Sequence, residues 1–337
     1  MDKLLTISIA AYNVESTLED ALSPFCECEN KDKLEVLIID DGSKDETAEI
    51  GKEYERQHPD IFRVISKKNG GWGSTLNVGI QEGKGRYFKQ LDGDDYFSSK
   101  NLDELIGLLS HIDADLVYTP FVTFEDRSKA ILREVGVYEN IPYETKIPLK
   151  ELNDFVPAMH TLTVRMEVLK KNNINITEHC FYTDVEFVLK VCNLCQNVVF
   201  FELPIYYYRL ARSGQSMSIN GVRKHYKDHL KMLTQMLLYE SKEVTRQEVK
   251  DIFTSRLSAA CEMQYIFFFA LECSGEQKNE LINFDSFLKN NYFNYYNRIH
   301  NKAVIFLRKV DFHGYFIIGH LQTLRDKRRK INIFEGC

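Results

Sequence analysis

The sequence contains none of the glycine-rich patterns that bind phosphate groups in the best-known nucleotide-binding folds. Its first strand-like stretch ends in "AAYNVEST", which has no glycine, so the G-x-G-x-x-G pattern of dinucleotide-binding enzymes is absent there. The P-loop pattern G-x-x-x-x-G-K-[ST] occurs nowhere in the 337 residues. If the chain binds a nucleotide, another group must neutralise the phosphates, and a divalent cation is the obvious candidate.

Long apolar runs and a cysteine framework are also missing. No run approaches the ~20 residues of a membrane-spanning helix, and "MDKLLTISIAAYN" lacks the features of a signal peptide. The eight cysteines follow no regular spacing, which is typical of a reducing compartment. Cys192 and Cys195 have zinc-like spacing, but "DVEFVLKVCNLC" reads as an amphipathic helix and favours buried thiols. We expect a cytoplasmic protein.

The net charge of −6 argues against a general nucleic-acid binder, but the charge is unevenly distributed. Residues 1–215 are net acidic, whereas residues 216–337 are net basic. The composition, 44% hydrophobic and 27% charged, is that of a globular protein with a real core. The acidic residues 1–215 favour binding of a metal-bound ligand, and the basic residues 216–337 favour contact with an anionic surface.

The first hundred residues alternate between strand and helix patterns. Strands are expected in "LLTISIAAY", "LEVLIIDDGS", "FRVISKK" and "GRYFKQLDGDD", with helical patterns between them. The second stretch is almost continuously apolar, as a parallel strand buried on both faces requires. This alternation predicts βαβ units, and therefore an α/β fold with a mostly parallel central sheet flanked by helices.

Three carboxylates crowd into "LDGDDYFSSK", where the fourth strand ends. Asp92, Asp94 and Asp95 would repel one another by roughly a few kcal/mol at an intermediate dielectric. Ligands in open α/β sheets bind at such strand ends. The cluster therefore indicates either a solvated turn or a site in which a cation lies among the carboxylate oxygens.

Four blocks of the chain resemble family 2 glycosyltransferases, which have the GT-A fold. These are "SIAAYN", "LIIDDGSKDET", "NGGWGSTLNVGI" and "GRYFKQLDGDD", in the family's order and spacing. The resemblance implies a metal-dependent, inverting transferase that moves a sugar from a nucleotide-sugar, foremost a UDP-sugar. The acceptor would be a hydroxyl of a glycan or lipid-linked molecule in cell-surface or capsular polysaccharide synthesis.

The resemblance also implies a donor site, residue by residue. Ala10 and Tyr12 would line the uracil slot, and Asp41 would accept a hydrogen bond from the uracil imide. Asn69 would approach the base or ribose, and Asp92 would contact the ribose or sugar.

The metal and the diphosphate have their own expected ligands. Asp94 would coordinate Mn²⁺ or Mg²⁺, because hard carboxylate oxygens suit those ions, and Asp95 is the alternative ligand. Many relatives have an arginine where this chain has Leu76. Its contact with the diphosphate would pass to another basic residue, for which the candidates are Lys67, Lys68 and Arg209. The sequence does not choose among them; Arg209 is included in the expected donor site because its guanidinium, or that of Arg212, suits a bidentate contact.

The general base is expected at the start of a later helix. The family usually has a Glu-Asp pair there, and this chain has Thr183 followed by Asp184. Asp184 is therefore the candidate base, with Glu186 as the second choice and a helix cap as the alternative role of Asp184.

Three regions follow from these patterns: residues 1–98 as the donor half, residues 99–218 as the acceptor half, and residues 219–337 as a helical extension. The extension ends in a basic cluster, Arg325 to Lys330, that favours binding to an anionic membrane surface, with a homodimer interface or a solvated tail as alternatives. We thus expect a cytoplasmic protein, peripheral at the inner membrane face. A non-catalytic nucleotide-sugar or glycan-binding module and a sugar nucleotidyltransferase are the alternative functions.

Overall fold

A computed structural model describes residues 3–152, 154–210, 219–271 and 274–319. The chain divides into two compact units, Met1–Leu210 and Ala211–Cys337. The expected basic cluster at the end of the chain and residues 211–218 lie outside the described residues.

The first unit combines strands and helices. Its strands are β1 (Leu5–Ala11), β2 (Leu34–Asp40), β3 (Phe62–Ser66), β4 (Tyr87–Asp92), β5 (Tyr96–Phe97), β6 (Leu116–Tyr118), β7 (Phe121–Glu125), β8 (Ile131–Val135), β9 (Lys146–Pro148), β10 (Leu162–Arg165), β11 (Asn197–Phe200) and β12 (Tyr206–Leu210). Its helices are α1 (Leu18–Glu27), α2 (Thr47–Gln57), α3 (Trp72–Glu82), α4 (Ser99–Leu109), α5 (Met166–Lys171) and α6 (Thr183–Leu194).

Eight of these strands form the central sheet, in the order β3-β2-β1-β4-β10-β6-β11-β9. β3, β2, β1 and β4 are mutually parallel, and β2 is buried along its whole length, as its apolar run predicts. β10 runs antiparallel to both β4 and β6, and β9 runs antiparallel to β11. β6 and β11 are again parallel. The prediction of an α/β fold with a mostly parallel central sheet is confirmed, and the three antiparallel pairings make the sheet a mixed one.

A second sheet of four strands, β5-β12-β7-β8, was not anticipated from the sequence. β12 pairs in parallel with β7 and antiparallel with β5, so that Tyr206 lies opposite both Phe121 and Phe97. β5 has only two residues and follows directly after the acidic cluster. This sheet therefore attaches the chain after β4 to a strand more than a hundred residues later.

The second unit is helical in its described residues, as expected. Its helices are α7 (Ile219–Glu243), α8 (Gln247–Ala270), α9 (Gly275–Asn291), α10 (Phe293–Asn297) and α11 (Lys302–Lys309). Ser274 caps α9 in a reciprocal pair with Gln277, which satisfies two backbone N–H groups. Among the described helices, none has the length and apolar character needed to cross a bilayer.

Candidate active site

The parallel strands β1, β2 and β4 end at one edge of the central sheet. Ala10 of β1 lies in register with Asp92 of β4. Beyond the strand ends, Gly93 N donates to Ala10 O over 3.0 Å, and Asp41 N donates to Ala11 O over 2.8 Å. The fold thus brings together three of the predicted donor-site positions, 10, 41 and 92.

The turn after β1 is tied to the turn after β2. Asn13 N donates to Ser43 Oγ over 3.1 Å, and Lys44 N donates to Asn13 Oδ1 over 2.8 Å. Asn13 adopts a left-handed φ of 53°, which asparagine tolerates better than most residues. Tyr12 precedes it with 46% of its surface exposed. Its ring is therefore accessible at this edge, as stacking with a base requires.

The Asp41 carboxylate is buried and already fully engaged. It accepts hydrogen bonds from Gly70 N (2.9 Å) and Gly71 N (2.8 Å), and it forms a 2.7 Å ion pair with Lys67 Nζ. Asn69 Nδ2 donates to the Asp41 main-chain carbonyl over 3.1 Å. Asp41 therefore organises the loop between β3 and α3, a role that the sequence did not indicate. Its predicted contact with a base stays a prediction.

Lys67 and Lys68, two of the basic residues expected to contact the diphosphate, lie in the same loop between β3 and α3. Lys67 Nζ is held by Asp41, the Lys68 carbonyl and Ser74 Oγ, each at 2.7 Å. Leu76, at the arginine position, is completely buried in α3. Lys67 is thus part of the loop's own structure, and the Lys68 side chain is exposed.

Asp92 lies where carboxylates converge from two elements. Trp72 Nε1 donates to Asp92 Oδ1 over 2.7 Å. Burial, the neighbouring Asp94 carboxylate and the carboxylate of Asp184 raise the pKa of Asp92 to about 7, against the lowering effect of the indole hydrogen bond. Asp92, Asp94 and Asp184 are therefore close enough to influence one another. Trp72 was not identified from the sequence, although it is the chain's single tryptophan.

Asp95, the alternative metal ligand, has a different environment. It is 1% exposed, and its carboxylate accepts hydrogen bonds from Tyr206 OH (2.6 Å) and Arg209 N (2.7 Å). Burial and the Asp94 and Asp92 carboxylates raise its pKa, whereas these two hydrogen bonds lower it. Asp95 thus fastens the acidic loop of residues 92–95 to β12, and Asp94 in the same loop is half-buried.

Arg209 has a geometry unlike the predicted contact with a diphosphate. The residue is 1% exposed, and its guanidinium pairs with Asp126 (2.6 Å) and Asp20 (2.8 Å). Its Nε donates to the Asp94 carbonyl over 2.5 Å. Arg209 thus supports the loop that carries Asp94, and its contact with a diphosphate stays a prediction.

Asp184 lies in the first turn of α6 with an exposed side chain. Tyr182, just before the helix, adopts a left-handed φ of 64°, which turns the chain into α6. Thr183 is buried. Glu186, the second-choice base, is 1% exposed and forms a 2.7 Å ion pair with Lys190. Of the two acids in this turn, Asp184 is the one that a substrate can reach.

A divalent cation fits the donor set at the end of β4. The described residues contain no group of three or more His, Cys, Asp or Glu side chains able to hold a metal ion by themselves. Mg²⁺ and related ions are commonly held by one or two carboxylates together with substrate phosphates and water. Asp94 would be such a ligand, and it lies among carboxylates whose mutual repulsion a cation would relieve.

Sequence comparison identifies relatives of this chain. A family model described as "Glycosyl transferase family 2" matches residues 6–172. A cholesterol galactosyltransferase of Borreliella burgdorferi is 26% identical over 232 residues, which cover 64% of this chain and 63% of that protein. An uncharacterized glycosyltransferase of Rickettsia prowazekii is 32% identical over 130 residues, covering 38% and 39%. The chain thus spans less than two thirds of the length of these two curated relatives.

Solved structures resemble the whole chain. Residues 1–349 of TarS from S. aureus, in complex with UDP-GlcNAc, align with a TM-score of 0.66 at 18% identity, over 96% of this chain and 92% of that one. The mannosyltransferase PcManGT from Pyrobaculum calidifontis, in complex with GDP-Man and Mn²⁺, aligns with a TM-score of 0.53 at 12% identity, over 97% and 88%. These similarities confirm the GT-A-like fold.

Proposed function

The chain belongs to glycosyl transferase family 2, and from that premise we propose that it is a metal-dependent, inverting glycosyltransferase that uses a UDP-sugar. One observation carries the proposal: carboxylates from the end of β4 and from the start of α6 converge at the edge where β1 and β2 also end. That arrangement offers a donor site and a base on adjoining elements.

The chemistry assigns a task to each group in this arrangement. In an inverting transfer, the acceptor hydroxyl attacks the anomeric carbon on the face opposite the leaving UDP. Asp184, exposed in the first turn of α6, would accept the hydroxyl proton as the bond forms. Asp92 would orient the ribose or sugar. When bound at Asp94, a divalent cation would stabilise the negative charge on the diphosphate.

UDP is the proposed nucleotide for two reasons. The exposed ring of Tyr12 lies beside the end of β1, where a planar base can stack on it. A structural neighbour holds UDP-GlcNAc, although another holds GDP-Man. The choice between these nucleotides is therefore the first matter for experiment.

The acceptor is proposed to be lipid-linked, at an anionic membrane surface. The second unit has an exposed apolar patch, which consists of Ile305, Phe306, Phe316 and Ile317. The Phe306 ring lies close to Gly314, where an added Cβ would be 3.2 Å from it, and Gly314 is two residues before Phe316. Lys278 Nζ lies 5.9 Å from the Phe316 ring. Apolar side chains with lysines beside them suit an interface with anionic lipid headgroups.

A thermal-shift titration tests the donor site. UDP, GDP, CDP and NAD are each added with and without Mn²⁺, and binding to the folded state raises the melting temperature. We expect a shift that is selective for UDP and requires Mn²⁺. A GDP-selective shift would change the nucleotide assignment, and no shift with any nucleotide would contradict the proposal.

A non-catalytic nucleotide-sugar-binding module is the second candidate. It is favoured by the loss of the family's usual glutamate, because Thr183 is buried and carries no carboxylate. The two functions separate in one assay, since a binding module retains UDP affinity but releases no UDP from a UDP-sugar. A sugar nucleotidyltransferase is disfavoured, since the G-x-G-T-R-type phosphate loop of that class is absent from the sequence.

A further inference from the structure

The side chain of Trp72 lies at the meeting point of three elements. It is the first residue of α3, its indole N–H reaches Asp92 at the end of β4, and its ring lies 6.4 Å from that of Phe187 in α6. Gly71, with φ of 81°, makes the turn that brings the indole to this position. Few substitutions at position 72 would reach both neighbours, because the contact with Asp92 needs a long side chain with a donor at its end.

The Asp92 carboxylate has few other connections. Its backbone is fixed separately, because Asp92 N donates to Tyr206 OH over 3.2 Å. Within the part of the chain that the structure describes, the indole N–H is the side-chain donor in hydrogen-bonding contact with the Asp92 carboxylate. Trp72 thus determines the orientation of the carboxylate, while Tyr206 holds the main chain.

The donor in this contact is uncharged, which matters for the charge of the site. Trp72 and Leu76 are four residues apart in α3, so they lie on the same side of the helix. Leu76 is completely buried and carries no charge. The indole therefore orients the Asp92 carboxylate without bringing a positive charge to it.

We propose that Trp72 is a positioning residue of the donor site: its indole N–H holds the Asp92 carboxylate in the orientation that binds the donor. This inference rests on the proposed function for its consequence, donor affinity, but not for the contact itself.

The contact can be tested without any ligand. Because the chain has one tryptophan, its ¹H–¹⁵N spectrum contains one indole N–H resonance. A short hydrogen bond to a carboxylate moves that resonance downfield. We expect Asp92→Asn to move it upfield, and Asp60→Asn, which changes an exposed carboxylate outside this contact, to leave it in place. An unchanged resonance in Asp92→Asn would overturn the proposal, whether or not the protein binds UDP.

The consequence is tested by UDP affinity in the presence of Mn²⁺, measured by calorimetry on the full chain. Trp72→Phe keeps an aromatic ring and removes the N–H, and we expect it to weaken UDP binding by about 10-fold or more, since hydrogen bonds to charged groups are the stronger ones. Phe187→Leu is the matched control for ring packing, and we expect its UDP affinity to stay near that of the unmodified chain.

Kinetics with a UDP-sugar add a second readout. A positioning role predicts a raised KM for Trp72→Phe with little change in kcat. If Trp72→Phe folds poorly, benzothienylalanine at position 72 replaces the N–H by sulfur within nearly the same shape. Equal UDP affinity in the unmodified and N–H-free proteins would overturn the inference, as would an equal loss in Phe187→Leu. If the unmodified chain binds no nucleotide, the proposed function fails, and the ligand-free spectrum alone decides the contact.

Discussion

At the scale of single residues, four aspartates of the candidate site have the same side chain but different surroundings, and we therefore expect different roles for them. Asp95 is buried and bonded to β12, Asp92 is held by an indole, Asp94 is half-buried, and Asp184 is exposed. The proposed roles of metal ligand and general base belong to the last two. Their substitution should therefore affect function, whereas substitution of Asp95 should affect folding.

Asp94→Asn is expected to abolish Mn²⁺-dependent UDP binding, or to weaken it severely, because one charged metal ligand is lost. The melting temperature without ligand should change little. Asp95→Asn is the contrasting variant, and its ligand-free melting temperature should fall, since its hydrogen bonds to Tyr206 OH and Arg209 N are buried. Thermal shift measures both, and unchanged UDP binding in Asp94→Asn would contradict the metal assignment.

Asp184→Asn should separate binding from turnover. We expect donor affinity near that of the unmodified chain and a kcat lower by about 10²–10⁴-fold, the usual contribution of a general base. Glu186→Gln is the control, because it changes the other acidic residue in the first turn of α6. It should lower the melting temperature, because the ion pair with Lys190 is lost. Full activity in Asp184→Asn would transfer the role of base to another residue.

At the scale of secondary-structure elements, the parallel strands could be predicted from the sequence. The pairing of strands far apart along the chain could not. The apolar run of β2 and the polar residues at the ends of β1, β2 and β4 depend on local pattern, which the chain displays directly. β5 has two residues, and its pairing with β12 joins Phe97 to Tyr206, a long-range contact without a local signal. For the same reason, the sequence pointed to Arg209 as a ligand of the diphosphate and gave no sign of its buried pairs with Asp20 and Asp126, which lie far away along the chain.

Helices α7 and α8 are joined by a buried polar pair. His229 Nδ1 lies 2.7 Å from Gln264 Oε1, and both residues are buried. Burial lowers the pKa of His229 from 6.5 to about 4, although the hydrogen bond to Gln264 opposes this. The histidine is therefore neutral in the folded protein at a pH where it is charged in the unfolded chain.

This pair predicts loss of helical stability in mild acid. Between pH 6.5 and 4 the unfolded state binds a proton that the folded state does not, so the free energy of unfolding falls as pH falls, by about 2 kcal/mol at pH 5. Far-UV circular dichroism in urea at pH 7 and pH 5 measures this. His229→Gln, which cannot titrate, should show a smaller difference between the two pH values; an equal difference would contradict the prediction.

The whole molecule consists of a catalytic-type unit and a helical unit with opposite charge balance. The proposed donor residues all belong to Met1–Leu210, and the exposed apolar patch belongs to Ala211–Cys337. A division of this kind is consistent with one unit handling the sugar donor and the other bringing the protein to a lipid-linked acceptor.

Membrane association can be tested by sedimentation with vesicles of neutral lipid, with and without phosphatidylserine. We expect binding that requires the anionic lipid and falls with salt, since lysines contribute about 1 kcal/mol each near such a surface. Phe306→Ser with Ile317→Ser should reduce binding. Leu238→Ser, at an exposed apolar position of α7 outside the patch, is the matched control. Equal binding by all variants would contradict a role for the patch.

The bracing of the acidic loop by β12 has a consequence for biosynthesis. The bond between Tyr206 and Asp95 spans 111 positions, and the pair between Arg209 and Asp20 spans 189. At translation rates of about 5–20 residues per second, the loop leaves the ribosome roughly 6–22 s before its support has been made. The parallel strands can assemble in that interval, but the donor site cannot. A nascent chain that stops short of β12 therefore has most of the sheet and lacks the support of the acidic loop, so we expect the proposed donor site to form only after this late strand has emerged.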